Sequence, residues 1–240
     1  MIISFALENE FKGLKDYYAA ERIQGVPFKA FVSQKVPDIK FVITGVGIKS
    51  ARDILAKAIN HFKDDDTLIV SGTCGALKPG LNIGDIVFYK QVIMVRGERS
   101  SRYQLDKELL RQCAEKLKKS GLVVHLGVGL TTEKPLYSPA EKQYYGSKYN
   151  ADVVDMESGI LFSVTNRKQK RLMIVRSILD RVFDYLPDAD INAPIPQVQG
   201  LGAHYYKAVE YSVESIKKAL IELINQCQST KTKSIENTEK

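Results

Sequence analysis

The sequence Val153-Val154-Asp155-Met156-Glu157-Ser158 leads an apolar strand directly into two carboxylates at the predicted start of a helix. If such a strand lies inside a parallel sheet, its last side chains reach the carboxyl edge, where α/β proteins bind ligands. A second acid, Asp180, ends another apolar stretch at 172–179. Glu157 alone could simply be an acid that faces the dipole at a helix start. Acids at two strand ends instead predict one site at a common rim.

The hydrophobic periodicity predicts strands that alternate with helices along the chain. The predicted strands are 1–7, 29–34, 40–44, 67–71, 84–95, 122–130, 151–155 and 172–179. The predicted helices are 9–20, 48–62, 104–120, 138–147, 157–168 and 203–228. This order indicates an α/β fold with a largely parallel central sheet. The predicted domain is 1–228, followed by a disordered polar tail at 229–240.

Composition narrows the class of protein. The chain has 240 residues, of which 44% are hydrophobic, and this suffices for one core. No stretch reaches the roughly 18 apolar residues of a membrane span. The apolar segment 1–7 lacks a basic region and precedes Glu8, so we predict a strand rather than a signal peptide. Three scattered cysteines fit a reducing cytoplasm, three histidines form no ligand pattern, and we expect neither metal nor cofactor.

The net charge of +7 is distributed over several segments, including Arg167-Lys168-Gln169-Lys170-Arg171. Solvated faces explain most of it, and attraction to an anionic surface such as a membrane stays open. No interleaved aromatics of the single-strand-binding type surround these clusters, so we expect no nucleic-acid partner. The segment 181–202 holds three of the eight prolines and no periodicity. Loops of that length are usually functional and often form a lid.

Two glycine segments follow predicted strands. They are Gly45-Val46-Gly47 and Gly72-Thr73-Cys74-Gly75-Ala76. Each predicts a tight turn whose backbone N–H groups could meet a ligand. Neither is a dinucleotide fingerprint or a P-loop. Glu8 and Glu10 follow the first strand, where first-turn helix acids are an equally good interpretation. Together with the strand-end acids, these segments predict a pocket for a small ligand.

Four segments resemble motifs of the nucleoside phosphorylase/nucleosidase superfamily, and they occur in the same order along the chain as in that family. Its glycine signature is similar to Gly72-Thr-Cys-Gly-Ala-Leu-Lys-Pro-Gly-Leu-Asn-Ile-Gly-Asp-Ile-Val87, and its ribose-binding motif to Val154-Asp-Met-Glu-Ser158. Its purine-acid strand resembles Arg176-Ser-Ile-Leu-Asp180, and the opening of its nucleosidase branch resembles Ala6-Leu-Glu-Asn-Glu10. The resemblance implies a single domain with a twisted, mixed and mostly parallel sheet, partly barrel-like and flanked by helices. It also implies a homodimer.

The resemblance assigns roles that suit cleavage of a purine N-glycosidic bond, which passes through an oxocarbenium-like transition state. Asp180 is the acid for purine N7 and needs a pKa raised by burial. Glu10 is the base that activates water, and Glu157 accepts hydrogen bonds from the ribose diol. Met156 packs under the sugar or, alternatively, belongs to the core. Thr73, Cys74 and Gly75 line the pocket, whereas Asp85 is interpreted as a turn residue.

The choice between hydrolysis and phosphorolysis depends on cations. Phosphorolysis needs a clamp for phosphate, usually of arginines. Phosphorylases with this glycine segment carry an arginine where this chain has Val70, and Leu7-Glu8-Asn9-Glu10 replaces their early phosphate loop. Water is therefore the predicted nucleophile, although Thr73-Cys74-Gly75-Ala76 resembles the phosphorylases more than the nucleosidases.

Departures from the family affect the substrate. Leu179 replaces the usual Ser or Thr before the purine acid, and Thr132-Glu133-Lys134-Pro135 replaces the adenine-stacking segment of methylthioadenosine/adenosylhomocysteine nucleosidases. We take Tyr137 as the substitute stacking residue. The segments around Asp155 and 180–189 also resemble adenosylhopane nucleosidases, and futalosine hydrolases are a third relative. A 5′-modified adenine nucleoside is the predicted substrate. A purine nucleoside phosphorylase and a non-catalytic nucleoside-binding protein are the alternatives.

Overall fold

The computed structural model describes residues 1–186 and 201–236, with side chains of the last helix described over 204–226. The strands are β1 Ile2–Phe5, β2 Glu21–Arg22, β3 Lys29–Val32, β4 Lys40–Ile43, β5 Thr67–Val70, β6 Thr73–Ala76, β7 Ile86–Arg96, β8 Arg99–Gln104, β9 Val124–Thr131, β10 Val153–Asp155 and β11 Arg171–Asp180. The helices are α1 Glu8–Tyr17, α2 Ile48–His61, α3 Lys107–Lys119, α4 Pro139–Tyr149, α5 Ser158–Arg167 and α6 Leu201–Glu236. Every strand and helix predicted from periodicity is therefore present.

The strands form a single mixed sheet that closes partly on itself. Their order is β2-β3-β4-β1-β5-β11-β6-β10-β9-β7-β8, and β7 also pairs with β11. That extra pairing joins β11, β6, β10, β9 and β7 into a closed ring, while β1 to β5 continue as an open sheet. Six of the eleven pairings in the described residues are parallel. The predicted twisted, partly barrel-like α/β fold is confirmed.

Strand β11 lies where the open sheet meets the ring. It pairs in parallel with β5 and β6 and antiparallel with β7. Its central residues Ile174 and Val175 are fully buried. Because β11 runs parallel to β5, its last residue, Asp180, lies at the same carboxyl edge of the sheet as the end of β5. The topology thus explains why acids from distant segments meet at this edge.

Helix α6 covers β11 with the apolar stripe expected from its helical period. Ile216, Ala219, Leu220 and Ile224 of this stripe are fully buried. The helix runs to Glu236 and so overlaps the segment 229–240 for which the sequence predicts disorder. Most of the predicted lid, 187–200, lies outside the described residues. None of the helices in the described ranges has the length and apolar character needed to span a bilayer.

The second glycine segment differs from its prediction. Only Gly72 turns the chain, with φ of 130°, and Thr73–Ala76 then forms strand β6 instead of a tight turn. β6 pairs in parallel with β11 and antiparallel with β10. Both partners lie far away in the sequence, and the run Thr-Cys-Gly-Ala has no strand periodicity. Long-range pairing therefore decides its conformation.

Candidate active site

Three carboxylates predicted from the sequence are buried at the carboxyl edge of the sheet. Glu10 lies in the first turn of α1, Glu157 directly before α5, and Asp180 at the end of β11. Their exposed fractions are only 5%, 4% and 5%. Buried carboxylates are costly unless they are hydrogen-bonded or paired. Their partners therefore define what each can do.

Glu10 is held by the segment that begins β6. Its Oε1 accepts hydrogen bonds from the backbone N–H of Thr73 at 2.8 Å and from the Thr73 hydroxyl at 3.0 Å. Its Oε2 accepts a third from the backbone N–H of Leu7 at 3.1 Å. The first-turn acid therefore does more than face its own helix: it joins α1 to β6 and fixes one carboxylate at the rim.

Glu157 connects the first glycine segment to the site. Its Oε1 accepts a hydrogen bond from the backbone N–H of Gly47 at 2.9 Å, and its Oε2 lies 3.5 Å from Nη2 of Arg176. Burial raises the pKa of Glu157 to about 7, Arg176 opposes this, and the nearby carboxylates of Asp155 and Glu10 add to it. At neutral pH this carboxyl group can either accept or donate a hydrogen bond.

Asp155 has a structural role that separates it from Glu157. Its Oδ1 accepts hydrogen bonds from the Thr131 hydroxyl at 2.9 Å and from the backbone N–H groups of Glu157 and Ser158 at 3.1 and 2.9 Å. These bonds tie β10 to β9 and hold the chain as it enters α5. The two acids of the motif therefore face different environments, and Glu157 is the one that reaches the backbone of Gly47.

Arg176 is a component of the cluster that the sequence analysis did not assign. It is almost fully buried, donating from Nη1 to the Thr73 carbonyl at 3.3 Å and from Nη2 to the Ser158 hydroxyl at 3.1 Å. Burial opposes its charge, but the carboxylates of Asp155 and Glu157 outweigh this and raise its pKa above the ordinary value. The available signal was a lone arginine inside an apolar strand, since a charge there needs partners.

Asp180 meets two residues that shape its environment. A Cβ atom at Gly75 would lie 3.0 Å from Asp180 Oδ2, so the glycine makes room for the carboxylate. Lys142 of α4, fully buried, forms an ion pair with the same Oδ2. Burial raises the pKa of Asp180 to about 6, Lys142 opposes this, and Asp184 adds to it. Lys142 was not assigned from the sequence.

Helix α6 brings a further side chain towards the acids. Tyr205 is partly buried, and burial together with the charges of Asp180 and Glu10 raises the pKa of its phenol. The phenol therefore lies within electrostatic reach of both proposed proton-transfer groups. No local sequence signal marks it, because the periodicity of α6 reports only the face that packs on the core.

The other residues predicted for the site differ in their contacts with the buried acids. Thr73 contacts Glu10 directly, and Met156 is partly buried beside Glu157. Cys74 is buried within the hydrophobic core, close enough to Asp180 for the two groups to interact, and burial raises the pKa of its thiol. Tyr137 is partly buried, and its carbonyl accepts a hydrogen bond from the backbone N–H of Leu186 at 2.9 Å.

Asp85 is a turn residue, as predicted. Its Oδ2 accepts a hydrogen bond from the backbone N–H of Asn82 at 3.0 Å and lies 3.0 Å from Nε2 of His125. It directly precedes β7. Among residues 1–186 and 201–236, no group of three or more His, Cys, Asp or Glu side chains is arranged to hold a metal ion.

Solved structures share this fold. Futalosine hydrolase of Helicobacter pylori, in a mutant form, aligns with a TM-score of 0.74 at 17% identity, over 94% of this chain and 97% of its own. The 5′-methylthioadenosine/S-adenosylhomocysteine nucleosidase of Neisseria meningitidis, in complex with methylthio-immucillin-A, aligns with 0.75 at 16% identity and the same coverage. S-adenosylhomocysteine nucleosidase of Streptococcus pyogenes, with 5-methylthiotubericidin, aligns with 0.75 at 17% identity, over 94% and 95%.

Sequence comparison identifies the family of this chain but no individual relative. A search of curated proteins found no match to this chain. The family model described as the phosphorylase superfamily matches residues 2–208, which contain all three buried acids and the complete ring of strands. The chain therefore belongs to the phosphorylase superfamily, as the motifs around Gly72, Glu157 and Asp180 predict.

Proposed function

We propose that this protein is an N-glycosidase that hydrolyses a 5′-modified adenine nucleoside of the methylthioadenosine/adenosylhomocysteine type and releases adenine. The observation that carries the proposal is the convergence of Glu10, Glu157 and Asp180, all buried, at one edge of the sheet. Two of them, Glu157 and Asp180, have a pKa raised towards neutrality, which for Asp180 suits a proton-transfer group. Nucleosidases among the structural neighbours support the same chemistry.

The three acids divide the reaction between them. Asp180 delivers a proton to N7 of adenine, so the C1′–N9 bond breaks and its electron pair leaves with the base. Glu10 takes a proton from water as the water oxygen forms the new bond to C1′. Glu157 accepts hydrogen bonds from the ribose diol. Each positioned proton-transfer group is typically worth ~10²–10⁴ in rate.

Water is favoured over phosphate by the charges around the nucleophile position. Arg176 is the buried cation there, but Thr73, Ser158 and Glu157 engage its guanidinium. Glu10 presents a carboxylate at the same edge, which would repel a phosphate. A phosphorylase would need an available arginine clamp. Because these partners engage both terminal nitrogens of the guanidinium, the arrangement supports hydrolysis over the phosphorylase alternative.

Other predicted residues complete the proposed pocket. Met156 would pack under the sugar, and Thr73, Gly75 and the backbone of Cys74 would border the base and the nucleophilic water. Tyr137 remains our candidate for the adenine-stacking side chain. These positions follow from the assignments of Asp180 and Glu157. We further propose, on the family resemblance, a cytoplasmic homodimer.

The 5′ substituent is the least constrained part of the substrate. After Asp180, Phe183 and Tyr185 have exposed fractions of 62% and 75%, whereas Val182 is buried. Two exposed aromatic rings, three and five residues after the purine acid, favour an apolar 5′ group over a free hydroxyl. They also support the second candidate, a nucleosidase for a bulkier nucleoside of the adenosylhopane or futalosine type.

A substrate panel tests the proposal. Adenosine, methylthioadenosine, adenosylhomocysteine, futalosine and a lipid-like 5′-adenosyl compound would each be incubated with and without phosphate, and base and sugar products separated by chromatography. We expect release of adenine together with a free ribosyl product, at a rate that phosphate does not change. A ribose 1-phosphate product would instead establish a phosphorylase. Absence of base release from every compound would favour the non-catalytic binding protein.

A further inference from the structure

Lys142 stands out because its buried ammonium group has three partners on one short segment, two carbonyl groups and one carboxylate. Its Nζ donates to the carbonyl of Arg181 at 3.0 Å and to the carbonyl of Asp184 at 2.6 Å. It also forms the ion pair with Oδ2 of Asp180, and its side chain is fully buried. A lysine is almost never buried this completely without such pairing. The group is therefore built into α4 to hold residues 180–184.

This arrangement fixes the direction of the purine acid. Asp180 Oδ2 is sealed from solvent and faces Lys142, which leaves Oδ1 as the oxygen that can meet a purine. The preceding residue, Leu179, has no polar side chain that could orient the carboxylate. Gly75 limits movement on another side, since the space it leaves is filled by the two carboxylate oxygens. Lys142 is thus the charged group that orients Asp180.

Lys142 also sets the electrostatic balance at Asp180. Four groups on four segments face this carboxyl group: Lys142 from α4, Asp184 from the turn after β11, Tyr205 from α6 and Cys74 from β6. Burial raises the pKa of Asp180, Lys142 lowers it, and Asp184 raises it again. Among these four, Lys142 is the only cation. Without it, burial and Asp184 would act unopposed.

We propose that Lys142 is a positioning residue for the purine acid, which orients the Asp180 carboxylate and sets the upper pH limit at which Asp180 carries the proton for the base. This role rests on the proposed N-glycosidase function, in which protonated Asp180 is the active form. Base release then falls as the pH rises through the pKa of Asp180. Removal of the cation moves that fall to higher pH, and removal of the neighbouring anion moves it to lower pH.

The test measures the protonation of Asp180 directly by titration and indirectly through the pH dependence of base release. The carboxyl carbon of Asp180, assigned by its loss in Asp180→Asn, is titrated by NMR in the wild type and in Lys142→Met. An opposite charge at this range shifts a carboxyl group by about 1–3 units, so the midpoint in Lys142→Met should rise by that amount. The pH at which adenine release from methylthioadenosine falls to half should rise in parallel. Lys148→Met, on the exposed face of the same helix, should change neither.

Asp184→Asn is the second variant and has the opposite expected sign. It removes an anion near Asp180 and also releases Arg181, which Asp184 pairs at 3.0 Å, so both midpoints should fall. It keeps the proposal testable if Lys142→Met does not fold. If Lys142→Met folds and the titration midpoint of Asp180 is unchanged in it, the proposal is overturned, even if base release occurs. If Lys142→Met does not fold, an unchanged midpoint in Asp184→Asn overturns the proposal in the same way. Shifted titration in a protein that releases no base would instead leave Lys142 as the cation that controls the Asp180 carboxyl group and refute the proposed function.

Discussion

Gly72 lies directly against the carboxylate of Glu10, and a Cβ atom at Gly72 would come within 2.6 Å of Glu10 Oε1. Its φ of 130° is also one that side chains with a Cβ rarely adopt. Gly72 therefore has two roles. It turns the chain after β5, and it leaves room for the Glu10 carboxylate of α1. One of the two residues that separate β5 from β6 is thus part of the proposed site.

Gly72→Ala should consequently lose activity beyond its cost in stability. Gly80→Ala is the matched control, because Gly80 also has a positive φ, of 88°, but its Cβ would meet nothing within 4 Å. Both variants should be destabilised by about 1–3 kcal/mol from backbone strain. Only Gly72→Ala should displace Glu10 and lower kcat by ~10²-fold or more. Urea unfolding and the rate of adenine release measure the two effects, and similar kcat values in both variants would contradict the assignment.

Asp180→Asn tests the acid. An amide can donate a hydrogen bond to N7 but cannot deliver a proton, so kcat should fall by ~10²-fold or more with little change in substrate binding. Asp66→Asn is the control, since Asp66 is exposed at the start of β5, and β5 is parallel to β11. It therefore lies at the opposite edge of the sheet. A kcat of Asp180→Asn within threefold of the wild type would remove Asp180 from the acid role.

The local sequence pattern predicts the α/β elements and the strand-end acids because both depend on local signals, whereas the partly barrel-like sheet and the role of Glu10 follow from the family resemblance. Apolar runs end in acids at Asp155 and Asp180, and helical periods fix the helices. The sequence does not reveal that Thr73–Ala76 is a strand, because that segment is ordered by distant partners, β10 and β11. Nor does it reveal Lys142 or Tyr205, because a lysine or tyrosine that points inward from a helix resembles a solvated one until the packing is known.

Arg176 illustrates the same limit inside a recognised motif. The sequence places it in a buried strand, but its role depends on Thr73, Ser158 and Glu157, which approach from 18 to 103 residues away in the chain. The sequence around Arg176 carries no information on which distant residues will contact its side chain. Buried charge in a predicted central strand is the one signal that points to such a cluster, since it requires compensation by partners.

Glu157 should make the stability of the protein depend on pH. Burial raises its pKa from 4.5 to about 7, so the folded protein binds this proton more tightly than the unfolded chain. The resulting contribution is fully present below about pH 4.5 and is lost as the pH rises through about 7, with a size of about 3 kcal/mol. Glu157→Gln should remove that part of the pH dependence.

Urea unfolding at pH 5 and pH 8 measures this difference. The free energy of unfolding should fall more steeply between the two pH values in the wild type than in Glu157→Gln. Glu133→Gln serves as the control because Glu133 is exposed and makes only a loose ion pair with Arg96 at 3.9 Å, so it should behave like the wild type. Equal slopes in all three proteins would mean that Glu157 does not titrate between pH 5 and pH 8.

The 5′ preference is the prediction that bears most on the identity of the substrate. Phe183 and Tyr185 expose aromatic surface just beyond Asp180, and apolar surface removed from water gains ~25 cal/mol per Å². Methylthioadenosine should therefore have a higher kcat/KM than adenosine. Phe183→Ser should narrow that ratio by lowering the value for methylthioadenosine. Tyr144→Ser, which removes a similarly exposed ring from α4, should leave the ratio unchanged. A wild-type preference for adenosine, or equal values, would place these rings at a contact other than the 5′ group.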